Sequence, residues 1–156
     1  MTISAALALL STFHLPVSFA EPTIYSNAIY QKGDCLLVVE DAHISKSLLK
    51  NKKPVMAVKA NVSSNCIYAQ QKVIFQIWLY KQIGENKVLV EKFQRTVNSP
   101  KPSPFKVEIK DAWVTCKNTQ RTKYIVQARS WTFIAGKEYA SLVGRSLNDV
   151  VLPCGV

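Results

Sequence analysis

Imidazole is scarce in this 156-residue chain, which has two histidines. One, His14, lies in an apolar leader, so His43 alone serves the body of the chain. A Ser-His-Asp or Cys-His relay would have to run through it. It stands beside Glu40 and Asp41 on what reads as a solvated surface loop. Metal-ligand spacing is missing as well, with no Cys-x-x-Cys and no histidine pair. Acids are few, ten against twenty Lys and Arg. Glu40 and Asp41 are adjacent, which on a strand sends them to opposite faces, a poor arrangement for paired acid–base work. Asp34, Glu40 and Asp41 are too sparse for a calcium loop, and the five glycines build no phosphate loop. These absences predict a protein that is not an enzyme and holds no cofactor or metal. Beyond the leader no stretch nears the roughly 18 apolar residues of a membrane-spanning helix. There is no internal repeat and no low-complexity tract.

What is present begins with residues 3–15, an apolar block of signal-peptide length and too short to span a bilayer. Pro16 breaks it, and Ser18 and Ala20 form the small-x-small pattern of a signal-peptidase site, so cleavage is expected after Ala20. Residues 1–4 carry no Lys or Arg. The positive charge of the leader is then either the terminal amine or lies in an upstream start, and a buried N-terminal helix is the alternative. Cleavage leaves 156 − 20 = 136 residues, which suits one domain over 21–156. Four cysteines follow, Cys35, Cys66, Cys116 and Cys154. An even count behind an export signal reads as two disulfides in an oxidising compartment, and hence as a secreted protein.

Strand patterns dominate the body. Residues 73–80 place Val73, Phe75, Ile77 and Leu79 on one face and Ile74, Gln76, Trp78 and Tyr80 on the other. Both faces are largely apolar, which predicts a central strand covered on both sides. Gly84, Glu85 and Asn86 turn the chain into residues 87–94, the second arm of a hairpin. Further strands are expected at 35–40, 54–62, 105–116, 123–134, 137–143 and 150–154. Only residues 41–53 could form a short helix, with Asp41 as a possible cap, although a loop fits equally. Residues 98–104 hold three prolines in five positions, a stiff connection that cannot enter a central strand and reads as a crossover between sheets.

About seven short strands and a proline-rich crossover predict an all-β, antiparallel, immunoglobulin-like β-sandwich. Three disulfide pairings are possible. Strand ends favour Cys35–Cys66 and Cys116–Cys154. The runner-up, Cys66–Cys116, imitates the bridge between antibody sheets, with Trp78 as its packing partner, but Val114 stands where a tyrosine corner needs Tyr.

The order is Cys35 opening a strand, Asn65-Cys66 before a long apolar strand, Cys116 followed by a polar turn and Tyr124, and Cys154 ending the last strand. Over residues 35–154 this resembles small secreted four-cysteine immunoglobulin-like proteins of Gram-positive bacteria. The resemblance implies a secreted, single-domain, non-enzymatic protein and carries over no site residue.

The formal net charge is +10. Its clusters are Lys46, Lys50, Lys52, Lys53 with Lys59, and Lys117, Arg121, Lys123 with Arg129. Such a field attracts anionic polymers, an attraction that fades with salt, and a bare solvated surface is the alternative. Sixteen of the twenty cations are Lys, which disfavours bidentate recognition, and no specific nucleic-acid motif is present. Tyr124, Trp131 and Phe133 read as core, with stacking on sugars or bases as the less favoured role. Asn61-Val62-Ser63 fits a glycosylation sequon. The expected function is a secreted binding module for an anionic extracellular or cell-wall partner, or for another extracellular protein. The alternative is a secreted antagonist, a protease inhibitor or small toxin, presenting residues 98–104 as a rigid loop.

Overall fold

Val73, Phe75, Ile77 and Leu79 are all fully buried, and the even-numbered residues between them are half-exposed. Burying each of these apolar side chains is worth about 1.5–3 kcal/mol, enough to fix the register of the strand that carries them. That strand belongs to a computed structural model that describes residues 27–32, 35–50, 54–98 and 105–156. The signal-peptide reading of residues 1–20 lies outside them.

The chain order is β1 (Asn27–Lys32), β2 (Cys35–Glu40), β3 (His43–Ile44), α1 (Lys46–Leu49), β4 (Ala57–Cys66) and β5 (Lys72–Ile83). It continues with β6 (Asn86–Asn98), β7 (Lys106–Thr115), β8 (Asn118–Ile134), β9 (Lys137–Arg145) and β10 (Val150–Gly155). The strands form two antiparallel five-stranded sheets. In the first, β4 pairs with β2 and β3 on one side and β7 on the other, and β1 flanks β2. In the second, β5 lies between β6 and β8, and the long β8 pairs with β10 through its first half and β9 through its second. The chain changes sheet between β6 and β7, where the proline-rich segment was expected to cross. The inward residues of both sheets share one core: Leu37, Val39, Val58 and Val62 from the first, Phe75, Ile77, Leu79 and Val126 from the second.

Two tight turns set the hairpins of the second sheet. Between β5 and β6, Gly84 has φ of 58° and no positive φ follows at Glu85, the pattern of a type II′ turn. Between β8 and β9, Ala135 and Gly136 have φ of 51° and 75°, as a type I′ turn demands.

Cys35 bonds to Cys66 and Cys116 to Cys154, so Cys66–Cys116 is not formed. Cys35 and Cys66 face each other in register on β2 and β4. Tyr124, fully buried, donates its phenol hydrogen to the Cys154 carbonyl and ties β8 to the second bridge. A polar plug closes one end of the core. Ser64 donates to Gln70 Oε1 at 2.8 Å and lies 3.1 Å from the Thr132 hydroxyl. The Gln70 amide in turn donates to the Phe105 carbonyl at 2.8 Å.

Several expectations are corrected. The helix is four residues long and follows Ser45 rather than Asp41, because Asp41 is engaged elsewhere. His43 lies in a short strand and is half-buried. Strands β1 and β3 are additional, giving ten rather than about seven. Strand β5 is central in its sheet, but its even-numbered face is half-exposed instead of covered by another layer. Trp131 and Phe133 lie on that outward face of the sheet and not in the core, whereas Tyr124 is core. Among the described residues no helix is long and apolar enough to cross a membrane.

Candidate anion-binding face

Strand alternation makes one surface of the second sheet from the even residues of β5 and the odd residues of β8. Register then builds rows across it. Lys72 lies between Phe133 and Asn98, Gln76 between Arg129 and Gln94, Trp78 between Gln127 and Lys92. Tyr80 lies between Ile125 and Leu89, and Gln82 between Lys123 and Lys87. β9 extends these rows with Val143 beside Arg129 and Arg145 beside Gln127. Arg121, exposed and two residues before Lys123, prolongs the β8 column.

Seven cations therefore share this face: Lys72, Lys87, Lys92, Arg121, Lys123, Arg129 and Arg145. The carboxylates beside them are Glu138, opposite Phe133, and Glu91, whose Oε1 accepts the Lys92 backbone N–H at 3.0 Å. Arg145 is paired with Asp149. The other six form no ion pair among the described residues. The outer face of the first sheet is different. There Glu108 holds Lys110 at 2.8 Å and Lys106 at 3.8 Å, and the hydrogen bond and charge of Glu108 raise the Lys110 ammonium above its usual range. On the first sheet Glu108 offsets the charge of β7, although Lys59 on β4 has no ion pair among the described residues, whereas six cations on the second face stand without one.

Four of the open cations lie against rings. Lys87 is 4.3 Å from the Tyr80 ring centre, Lys72 5.1 Å from Phe133, Arg129 5.5 Å from Trp131 and Lys92 5.7 Å from Trp78. Such contacts arise about once per 70–80 residues, so four on one sheet face mark it as unusual. Between them the amides of Gln76 and Gln94 meet at 3.2 Å. At one end Arg121, Lys123 and Lys81 border a recess of about 420 Å³, where Lys81 donates to the Val156 carbonyl at 2.6 Å.

The second sequence-derived cluster thus divides. Arg121, Lys123 and Arg129 stand on this face, while Lys117 lies in the turn before β8 with its N–H on the Gly155 carbonyl. The first cluster is separate. Lys46 and Lys59 border an open groove of about 950 Å³ with His43, Ile44, Leu49 and Leu152. Lys50 is exposed beyond α1, and Lys52 and Lys53 lie outside the described residues, as do residues 99–104 of the expected inhibitory loop. In that groove Asp41 accepts both N–H groups of Asn148, Glu40 accepts from Asn61 at 2.6 Å, and His43 Nδ1 is 3.1 Å from the Asp41 carbonyl. These groups act as structural joints. Asn61, nine-tenths buried and bonded to Glu40, is closed to glycosylation in the folded chain.

Sequence reasoning did not find Lys72, Trp78, Tyr80, Lys87 and Lys92 as site residues. The signal was the even register of β5, Lys-Ile-Gln-Trp-Tyr-Gln, whose polar members exclude a second buried face. Compared with protein-family models, with curated proteins and with solved structures, the chain matches none.

Proposed function

We propose that this is an exported, non-enzymatic binding module of immunoglobulin-like type that holds an anionic polymer outside the cytoplasm. The outer face of the β10-β8-β5-β6 sheet is the binding surface. The observation that carries this reading is six cations on one sheet face without an ion-pair partner among the described residues. Folding places like charges together only at a cost, and an anionic polymer removes that cost while releasing counterions. Two disulfides fit an oxidising compartment. Two antiparallel sheets around one core support the immunoglobulin-like assignment.

Elution from heparin in a salt gradient tests the proposal. The triple variant Lys92→Gln/Lys123→Gln/Arg129→Gln is expected to elute at clearly lower salt than the parent. Lys46→Gln/Lys50→Gln/Lys59→Gln removes the same charge from the other side and is expected to shift elution much less. Equal shifts for the two variants would reduce the effect to net charge and sink the assignment of the face.

A further inference from the structure

We infer that the polymer bound by this face is a single-stranded nucleic acid, an inference that rests on the reading of the face as an anion-binding surface. Charge alone suits any polyanion, so the rings decide the class. Trp131 and Phe133 stand two residues apart on β8, and Trp78 and Tyr80 two apart on β5. Each pair is therefore spaced by about 6.8 Å along its strand. That is twice the roughly 3.4 Å stacked repeat of a nucleic-acid strand. Bases matching consecutive rings must be unstacked, with the backbone extended. A duplex cannot do this, because its base faces are covered by their neighbours and only base edges show in the grooves.

The cations sit where such a strand needs them. Lys72, Lys87 and Lys92 lie within 4.3–5.7 Å of ring centres, so an arriving base can replace a flexible ammonium on its ring, and that ammonium can swing to the adjacent phosphate. Stacking accepts every base, since each has a π-face. Gln76, Gln94 and Gln127 between the rings are amides, able to donate to or accept from any base edge. The rows run from Lys72 to Gln82, ten residues or about 34 Å. At the ring spacing this accommodates about five nucleotides, within the range of single-strand binding modules. A heavily sulfated glycan such as heparin, whose sugar rings are rimmed by charged groups, would use the same charges and gain little from the indoles.

The test titrates the disulfide-intact protein with a 12-nucleotide oligothymidylate, the matching duplex and a heparin fragment of similar charge, following anisotropy and tryptophan fluorescence. The expected result is tighter binding of the single strand than of the duplex, with quenching of tryptophan emission. Trp78→Ala and Trp131→Ala are each expected to weaken the single strand about tenfold and to leave heparin unchanged. Trp78→Phe, which keeps a ring at the position, is expected to retain most of the single-strand affinity and guards against a folding defect in the alanine variant. Equal affinity for all three polymers, without quenching and without a tryptophan effect, would overturn the nucleic-acid inference and leave the charge-based reading standing. No binding to any of the three would overturn both.

Discussion

Asp41 and Asn148, 107 positions apart, are joined by two hydrogen bonds in which the Asn148 backbone and side-chain N–H groups donate to the Asp41 carboxylate at 2.9 and 2.7 Å. Asp41 follows β2 in the first sheet, and Asn148 lies in the turn that leads to β10 in the second. The joint fixes one sheet against the other through a carboxylate that is nine-tenths buried. Removing one partner leaves the other unsatisfied, which costs about 1–3 kcal/mol. Asp41→Ala is expected to lower the unfolding free energy from urea titration by that amount, seen as a lower midpoint at unchanged slope, without changing retention on heparin. A parallel fall in retention would show that this joint also shapes the outer face of the second sheet.

The two disulfides close loops with sequence separations of 31 and 38. Loop entropy assigns each about 3–4 kcal/mol. Replacing Cys116 and Cys154 together by Ala is expected to destabilise the fold by that amount, and the Cys35/Cys66 pair by a similar one. The native protein is expected to show no reactive thiol, and four after reduction. A thiol titrating in the native protein would contradict the pairing.

Gly155 is required by its neighbour. A Cβ built there would stand 2.0 Å from Asn118 Oδ1 and 2.8 Å from Asn118 Cγ. That oxygen is not free to move, because it accepts the Gln120 N–H at 2.9 Å and shapes the start of β8. Gly155→Ala is expected to destabilise by about 1–3 kcal/mol, the scale of overpacking. Adding Asn118→Ala opens the space, so the double variant is expected to be less damaged than the sum of the two single changes. Strict additivity in chemical denaturation would remove the proposed clash.

How far the sequence was legible varies with the kind of signal. Period-two alternation located β5, β7 and the main part of β8, because Val73, Val107 and Val126 each begin or continue a buried register that no slip preserves. Strand ends gave the cystine pairing for the same reason, since Cys35 and Cys66 are register partners. No pattern announces β1, and of the two readings open for residues 41–53, a helix capped by Asp41 or a loop, the structure has a four-residue helix that follows Ser45. The partner of Asp41, Asn148, is remote in sequence, and no local pattern announces it. Trp131 and Phe133 were assigned to the core because large rings usually bury. Here they lie outward beside Arg129 and Lys72, where cationic side chains cover them instead of a second layer. The cationic face itself was half visible. Its β8 column was read from sequence, while Lys87 and Lys92 belong to a neighbouring hairpin arm that only the register brings alongside.

Alkaline titration should expose Tyr124. The side chain is fully buried and donates to the Cys154 carbonyl. Burial pushes its phenol above the usual value near 10. The folded state therefore favours the protonated phenol more than the unfolded chain does. The resulting stability is fully present below the unfolded value of about 10 and is lost as pH rises through the higher folded value. Urea midpoints are expected to fall above about pH 10. Tyr124→Phe is expected to be less stable at neutral pH by about 1 kcal/mol through the lost hydrogen bond, and to show a shallower decline at alkaline pH. Parent and variant falling in parallel between pH 9 and pH 12 would show that another group governs alkaline unfolding.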